Sequence, residues 1–424
     1  MFSKKYWVRF VVVVMFASSA AFIYGISVAI WHVFPYGQLS AVYKKIKVIV
    51  NSFDQSNVLD TGVVDYSSVS HESNETNSNK NNVLGGLVKI PSSVQISEES
   101  LLNNFKLRWG RVPSNEMVQV GAVKYLPSEV WFVNQRDPDI LGKLGLSNTI
   151  GAAGGIRALF DLDGIEYAYI AYQDKSCPSA RIYNLETYDV AFQMPCIPEV
   201  RSLDLAGVGG GWTRIDKDTV LLAAGTPTMA GVESSINQLA QIESSLWGKV
   251  LLIKQKESNL DVSVFSSGHR NPQGISVVDE IIYSVEHGPR GGDELNILVA
   301  GNNYGWPAQS FGSEYNLSYI DKDLSLFADS ETPLLSFVPS IGISDVGPCP
   351  DSYASYYKPN SCVAVSSMIG NSIYLVVHNT KKVFFTEKLY FGSRIRKFEF
   401  EGERLIAVTD FEGLIVGAIE EIAP

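Results

Sequence analysis

A chain of 424 residues is long enough for one large domain or two ordinary ones. Charged residues make up only 19% of it, whereas 35 Gly, 20 Tyr and 20 Phe favour β-structure over helical bundles. The formal net charge of -11 and the lack of a basic cluster in the body of the chain argue against binding to nucleic acid.

The first predicted element is an apolar segment of 22 uncharged residues, Phe10 to Trp31. Three basic residues precede it: Lys4, Lys5 and Arg9. About 20 apolar residues span a bilayer, and a basic flank stays cytoplasmic. We therefore expect residues 1–34 to hold a cytoplasmic stub and one transmembrane signal anchor. A signal peptide cleaved near Ala20 is the alternative. In both cases the rest of the chain lies in the periplasm or outside the cell.

Residues 35–95 are predicted to be a polar, flexible tether. The stretch from Ser52 to Leu87 is rich in Ser and Asn, as in HESNETNSNKNN. Its apolar content is too low to form a core. Such a tether would hold the following domain away from the membrane.

Residues 96–424 consist of short apolar runs separated by turn residues. Strand-length examples are EVWFVNQ, YAYIAYQ, TVLLAAG, GKVLLIK, SIYLVVH, KVFFTEK and RLIAVTD. Only SSINQLAQIESSLW, at 234–247, has a fair helical pattern. The pattern predicts an all-β domain that is a propeller, a large sandwich or a β-helix. Six propeller blades would take about 55 residues each, enough for four strands and loops.

The four cysteines form two local pairs in the sequence, Cys177 with Cys196 and Cys349 with Cys362. None of the spacings is the C-x-x-C typical of zinc sites. In an oxidising compartment two local disulfides are expected. Reduced, buried cysteines are the alternative.

The densest group of functional residues lies in GHRNPQG and EHGPRGGDELN, which flank an apolar run, Ile275 to Val285. The run predicts one or two strands. In the first motif, Arg270, Asn271 and Gln273 offer planar hydrogen bonding to a carboxylate or a quinone-type carbonyl.

The second motif offers oxygen ligands. Gly288–Pro289 and Gly291–Gly292 form a backbone that can turn its carbonyls outward, and Asp293 and Glu294 add carboxylates. Ligation by oxygen alone favours calcium over any transition metal. The alternative is a hairpin with turn glycines and a solvated acid pair.

These two motifs, followed by GNNYGWP at 301–307, resemble the soluble quinoprotein glucose/sorbosone dehydrogenase family. Weaker resemblance extends over 154–172, 244–254 and 393–410. The resemblance implies a six-bladed β-propeller that holds pyrroloquinoline quinone (PQQ) over Ca2+ and oxidises an aldose or related sugar alcohol by hydride transfer to the quinone, outside the cytoplasm. The sequence does not identify the electron acceptor.

The resemblance also implies roles for individual residues. The implied cofactor-binding residues are Arg270, Asn271, Gln273, Arg394, Arg396 and, through a loose alignment, Lys381. The implied metal residues are Gly288 and Pro289 through their carbonyls, with Asp293, Glu294 and Tyr304 as support or second-site ligands. Fixed guanidinium groups match carboxylates, and a cation beside the quinone makes it a better hydride acceptor.

One departure from the family concerns the general base. Family members carry a catalytic histidine before a Gly-Gly pair, and the corresponding position here is Val208. Valine cannot accept a proton, and His378 is a weak candidate for a relocated base. A non-catalytic, membrane-tethered propeller that binds a ligand, glycan or protein is therefore the alternative function.

Overall fold

The computed structural model describes residues 83–84, 88–89, 94–112, 118–120, 123–125, 137–147, 154–173, 177–197, 203–228, 231, 234–257, 259–315, 329–410 and 413–422. The chain divides into units 1–78 and 79–424, and all the described residues lie in the second. In these ranges no helix is long and apolar enough to cross a membrane. The predicted anchor and most of the predicted tether lie outside the described residues.

The described strands form six antiparallel sheets, and we number the sheets I to VI. Sheet I contains β1 (Val83–Leu84), β2 (Val88–Lys89), β5 (Val118–Val120) and β6 (Val123–Tyr125). Sheet II contains β7 (Gly155–Leu162), β8 (Ile165–Tyr172), β9 (Ser179–Asn184) and β10 (Val190–Gln193). Sheet III contains β11 (Gly209–Asp216), β12 (Thr219–Ala224), β13 (Lys249–Lys256) and β14 (Asn259–Ser267).

The other three sheets follow in chain order, except that sheet VI also recruits two early strands. Sheet IV contains β15 (Pro272–Val278), β16 (Ile281–Glu286), β17 (Asp293–Ile297) and β18 (Leu335–Phe337). Sheet V contains β19 (Ile343–Pro348), β20 (Ser361–Ser367), β21 (Ser372–Asn379) and β22 (Lys382–Tyr390). Sheet VI has the order β23 (Ile395–Glu401), β24 (Arg404–Thr409), β25 (Leu414–Glu421), β4 (Phe105–Val112), β3 (Ile96–Ser100).

The all-β prediction is confirmed, and side-chain burial explains why these segments form strands. The middle strand β12, TVLLAA, is buried along its whole length, whereas the outer strand β22 alternates exposed with covered positions. A strand between two others in a packed sheet buries both faces, and a border strand buries one. The runs predicted from YAYIAYQ onward lie in described strands, and EVWFVNQ lies outside the described residues.

The sheets stack through their first strands, as propeller blades do. Strand β11 contacts β15, β15 contacts β19, and β19 contacts β23. Glycines permit this approach: a Cβ on Gly211 would lie 2.8 Å from the amide nitrogen of Gly274, and one on Gly274 would lie 2.9 Å from Cα of Asp345. Side chains at these positions would force the first strands apart.

Sheet VI joins the C-terminal strands to two early strands, β3 and β4. The C-terminal strand β25 pairs with β4 over its full length, from Leu414 opposite Val112 to Glu421 opposite Phe105. Two N-terminal strands thus complete a sheet begun by the last three strands of the chain, which ties the ends of the fold together by backbone hydrogen bonds.

Helices are short in the described residues: α1 (Pro138–Lys143), α2 (Ser235–Gln238) and α3 (Asp351–Tyr356). The helix predicted at 234–247 is therefore one turn, α2, followed by tighter turns such as Ala240 N–H to the Asn237 carbonyl. Both predicted disulfides are present, Cys177–Cys196 and Cys349–Cys362.

Candidate functional site

The motif residues meet at one end of sheet IV. Arg270 immediately precedes β15, and the loop 287–292 connects β16 to β17 at the same end because β15 and β16 are antiparallel. The apolar run, predicted as one or two strands, forms two, and both motifs lie at the same end of the hairpin. We call this group of residues the Arg270 site.

Arg270 is 7% exposed and its guanidinium is enclosed by carbonyls and aromatic rings. Nη1 donates to the carbonyls of His287 at 3.0 Å and Gly288 at 2.9 Å, and Nη2 donates to the Tyr315 hydroxyl at 3.2 Å. The guanidinium carbon lies 5.3 Å from the Trp306 ring centroid. No carboxylate of the described residues lies within 4.0 Å of it, and Nε has no partner among the described atoms.

A buried carboxylate, Glu286, fixes the backbone around the arginine. It accepts from the Arg270 amide at 2.7 Å, from the Asn296 side chain at 3.0 Å, and it contacts Nδ1 of His269 at 3.1 Å. The other ring nitrogen of His269 contacts the Ser266 hydroxyl at 2.9 Å. With both ring nitrogens engaged and no exposed surface, His269 orients the loop rather than accepting a substrate proton.

Asp293 fastens the 287–292 loop to sheet V. Its carboxylate accepts from the amides of Gly288 at 3.2 Å and Ile343 at 3.0 Å and from the Ser340 hydroxyl at 2.9 Å. Burial raises the pKa of this carboxyl, but His287, at 3.8 Å, and these hydrogen bonds outweigh burial and hold it below its usual value. Both carboxylate oxygens of Asp293 therefore already accept hydrogen bonds that hold the loop in place.

Glu294 is buried beside Glu286 and shares Asn296 with it. Its Oε2 accepts from Asn296 Nδ2 at 3.2 Å. Burial, together with the negative charge of Glu286, raises the pKa of Glu294 well above its ordinary value. Glu286, Glu294 and Arg270 line a cavity with room for about one water molecule.

The hydroxyl of Tyr304, another predicted metal residue, is engaged by hydrogen bonds within the protein. The Tyr304 hydroxyl donates to the Ile297 carbonyl at 2.6 Å, accepts from the Val299 amide at 2.9 Å, and its ring stacks on His269. In the described ranges no three His, Cys, Asp or Glu side chains gather as they would around a metal ion. Any cation at this site would depend on carbonyls such as those of Gly288 and Pro289.

Asn271 and Gln273 lie at the start of β15 and bond to each other. Nε2 of Gln273 donates to Oδ1 of Asn271 at 2.6 Å, and the Asn271 carbonyl accepts from the His287 amide at 3.1 Å. The structure thus brings both residues to the Arg270 site, where they tie its two loops together.

Arg394 and Arg396 lie at the corresponding end of sheet VI and share one carboxylate. Asp410 accepts from Nε of Arg394 at 2.6 Å and from Arg396 through both of its oxygens. Arg394 also contacts the sulfur of Met368, which follows β20 at the site end of sheet V. Two guanidinium groups around one carboxylate leave a net positive charge.

Lys397 links the neighbouring sheets, and its position was not predicted from the sequence. Its ammonium donates to the Gln273 carbonyl at 3.3 Å and to Asp345 at 2.8 Å. Burial raises the pKa of Asp345, although Lys397 opposes that effect. Adjacency to Arg396 in SRIRKFEF was the only available signal, because no spacing rule indicates which sheet a strand will face.

Val208 precedes β11 and is fully buried. Its carbonyl accepts from the Gly225 amide at 2.8 Å, and the next residue along, Thr226, donates to the Arg270 carbonyl at 2.7 Å. Its side chain belongs to the same buried apolar cluster as Leu205 and Trp247. The segment is therefore close to the Arg270 site, and position 208 supplies no proton acceptor there.

His378 and Lys381 lie at the other end of sheet V. The site end of that sheet contains the 368–371 loop, and His378 is six residues along β21 from Ser372, roughly 20 Å at about 3.3 Å per residue. Its Nε2 contacts the Tyr283 hydroxyl at 3.2 Å, and burial lowers its pKa. Lys381 lies in the following turn, at the same far end. The structure brings neither residue to the Arg270 site.

Comparison with known proteins matches residues 217–415 to the family model described as Glucose / Sorbosone dehydrogenase. An uncharacterized protein of Synechocystis is 33% identical over 152 residues, 32% of this chain and 37% of that protein. An aldose sugar dehydrogenase of Escherichia coli is 38% identical over 92 residues, 21% of this chain and 25% of that protein. The chain thus spans little more than a third of the length of these curated relatives, or less.

Among solved structures, the apo-form of the soluble aldose sugar dehydrogenase from Escherichia coli aligns with a TM-score of 0.50 at 19% identity. The alignment covers 77% of this chain and 100% of that chain. At this identity the similarity concerns the fold.

Proposed function

We propose that this chain, a divergent member of the glucose/sorbosone dehydrogenase family over residues 217–415, is a PQQ- and calcium-dependent sugar dehydrogenase. The six sheets would be the blades of a propeller, and the predicted N-terminal anchor would hold it at the outer side of the membrane. One observation carries the proposal: Arg270 is buried at the end of sheet IV, and no carboxylate of the described residues pairs with it. The substrate would be an aldose or a related sugar.

The geometry around Arg270 fits an anionic, carbonyl-rich cofactor. A buried guanidinium is costly without a counter-charge, and its unpartnered Nε is a donor that the described protein does not satisfy. A carboxylate or quinone oxygen would supply the acceptor. Arg394 and Arg396, with only Asp410 between them, would hold a second anionic group. When bound, the quinone supplies the hydride acceptor.

Calcium would be held by main-chain carbonyls of Gly288 and Pro289. The Gly288 carbonyl accepts from Arg270, so the guanidinium and the cation would compete for it unless the cation uses the second lone pair. Since the Asp293 oxygens already accept three hydrogen bonds, this residue would act indirectly, by fixing the loop that carries those carbonyls.

Proton removal from the substrate is the step for which the position expected to carry the base, in the part of the chain that the structure describes, has no proton acceptor. Val208 cannot accept a proton, and general-base assistance is worth about 10²- to 10⁴-fold in rate. This observation favours a second candidate function, a non-catalytic propeller that uses the Arg270 site only to bind a ligand.

Reconstitution separates the two functions. Purified full-length protein would be titrated with PQQ at fixed calcium while the quinone absorbance is followed, then mixed with a sugar panel and a redox dye. We expect saturable PQQ uptake and slow dye reduction. Uptake without reduction on any sugar favours the non-catalytic function, and absence of uptake overturns both the cofactor and the activity.

A pair of arginine variants assigns the uptake to the site. Arg270→Gln keeps the planar shape but removes the charge and should weaken PQQ binding at least about 10-fold, since a charge-assisted bond contributes about 1.5–3 kcal/mol. Arg214→Gln is the matched control because Arg214 pairs with Asp161 between β11 and β7, the first strands of sheets III and II, and not with any residue of the Arg270 site. Equal weakening in both variants would contradict the assignment.

A further inference from the structure

A second pocket lies on sheet II, separate from the Arg270 site. Its floor is the turn that follows α1, residues 144–146, and its walls come from β8, β9 and the β9–β10 turn. The cavity measures about 430 Å3, within the range of small-molecule sites. Its polar lining contains three tyrosines, one arginine and one aspartate: Tyr172, Tyr183, Tyr188, Arg181 and Asp189.

Arg181 is held flat inside this pocket. Its guanidinium carbon lies 4.3 Å from the Tyr172 ring centroid, Nη1 donates to the Tyr183 hydroxyl at 3.2 Å, and Nε donates to the side-chain oxygen of Gln193. In the described part of the chain no carboxylate oxygen lies within 4.0 Å of it. Arg181 therefore presents a fixed planar cation whose charge is not neutralised by an ion pair.

Tyr188 stands at the mouth of the pocket and is 37% exposed. Its backbone has a φ of 61°, a left-handed conformation that bulky residues rarely adopt. The Asn184 side chain, which accepts from the amides of Glu186 and Thr187, fixes this turn. A second cation, Lys143, lies 5.3 Å from the Tyr188 ring centroid. The turn thus adds an exposed aromatic ring and a second cation to the pocket lined by Arg181.

We propose that this pocket binds a sugar ring that carries a carboxylate, such as a uronate residue of an acidic oligosaccharide. Arg181 would pair with the carboxylate, since a guanidinium fork matches its geometry. The apolar face of the ring would stack on Tyr188. Asp189, next to Tyr188 in the pocket lining, would accept from ring hydroxyls, which a carboxylate does readily. The proposal does not depend on a cofactor at the Arg270 site.

The observations favour this ligand over simpler anions and neutral sugars. A bare anion would use the cations and leave the tyrosine faces and Asp189 without a role. A neutral sugar would leave the charge of Arg181 unpaired in a half-buried position, which costs free energy. A ring that carries a carboxylate would use Arg181 through its carboxylate, and the tyrosines and Asp189 through its ring face and hydroxyls.

Saturation-transfer NMR on the full-length protein tests the proposal with glucuronate and digalacturonate as probes. We expect saturable signals from both, and none from glucose or acetate at equal concentration. Arg181→Gln and Tyr188→Ala should each weaken binding about 10-fold or more. Matched controls are Arg214→Gln and Tyr390→Ala, because Tyr390 is also exposed and also has a lysine, Lys388, at 5.3 Å.

Three results would overturn the proposal. Absence of signal from both uronates is one, and equal signals from acetate and glucuronate would identify a general anion site instead. The third is unchanged binding in both Arg181→Gln and Tyr188→Ala, which would place the sugar elsewhere. Since Tyr188 is exposed and its loss leaves the core intact, that variant remains informative even if Arg181→Gln folds poorly.

Discussion

Lys249 is a buried cation whose replacement should change how stability depends on pH. It is 1% exposed, and its ammonium donates to the Ala240 carbonyl at 2.5 Å. Burial lowers its pKa from 10.5 to about 8. At 1.36 kcal/mol per pKa unit, the charged form destabilises the folded state by about 3 kcal/mol below pH 8.

The sign follows from proton counts. Between pH 8 and 10.5 the unfolded chain keeps the Lys249 proton and the folded protein has lost it, so the free energy of unfolding rises with pH. Lys249→Met removes this contribution. The Ala240 carbonyl keeps a second donor, the Gly268 amide at 3.2 Å, so the substitution leaves no unpaired carbonyl. We expect the variant to be more stable than wild type at pH 7, with the difference vanishing near pH 10.5.

Urea unfolding followed by tryptophan fluorescence at several pH values between 7 and 10.5 measures this difference, and other titrating groups cancel when wild type and variant are compared. Lys254→Met is the control, because Lys254 is half-exposed and pairs with Asp218. Parallel stability curves for wild type and Lys249→Met would refute the reasoning, since they would mean that Lys249 keeps its ordinary pKa in the folded protein.

Three other predictions concern the fold and the loop that carries the Arg270 site. Gly274→Ala would place a Cβ 2.9 Å from Asp345 Cα and should lower the midpoint of thermal unfolding sharply, whereas Gly142→Ala, in α1 with no atom within 4 Å, should raise it slightly. Replacing both Cys177 and Cys196 by Ala, which opens a 19-residue loop, should cost about 3 kcal/mol in denaturant unfolding, and a loss below 1 would contradict that. Because its pKa is held low, the Asp293 carboxylate should stabilise the fold near neutral pH and lose that contribution as pH falls through its folded pKa. Asp293→Asn should flatten the acid side of the stability curve, and an unchanged acid limb would exclude this role.

The strands could be predicted from the sequence because their physical cause is local. Alternating or continuous apolar runs between turn residues identify β12 and β21 directly. The pairing of β25 with β4 could not be predicted, because it joins residues about 300 positions apart and depends on which edges remain unpaired. The helix predicted at 234–247 was too long. Its helical pattern is local, but the structure forms only one helical turn there, α2.

At the Arg270 site, too, local sequence signals were predictive and contacts between sheets were not. Arg270, Asn271 and Gln273 lie in one contiguous motif, and the structure keeps them together. Lys381 was placed by a loose alignment, and it lies at the end of sheet V away from that motif because it occupies the β21–β22 turn. Lys397 was missed, since its contact with the Gln273 carbonyl crosses between sheets. Predictions within a motif are more secure than predictions that depend on how sheets stack.

The proposed function has two parts, cofactor binding and proton removal, and the structure supports them unequally. Arg270 is buried, and its Nε has no partner among the described atoms, so an acceptor on a bound ligand would lower the free energy of this site. Valine at 208, by contrast, costs nothing, because it packs in the apolar core beside the site. The Arg270 site thus offers an unpartnered donor to an anionic cofactor, whereas position 208 offers no group for proton transfer. Binding at the Arg270 site is therefore the primary inference, and turnover depends on whether another group or bulk water removes the substrate proton.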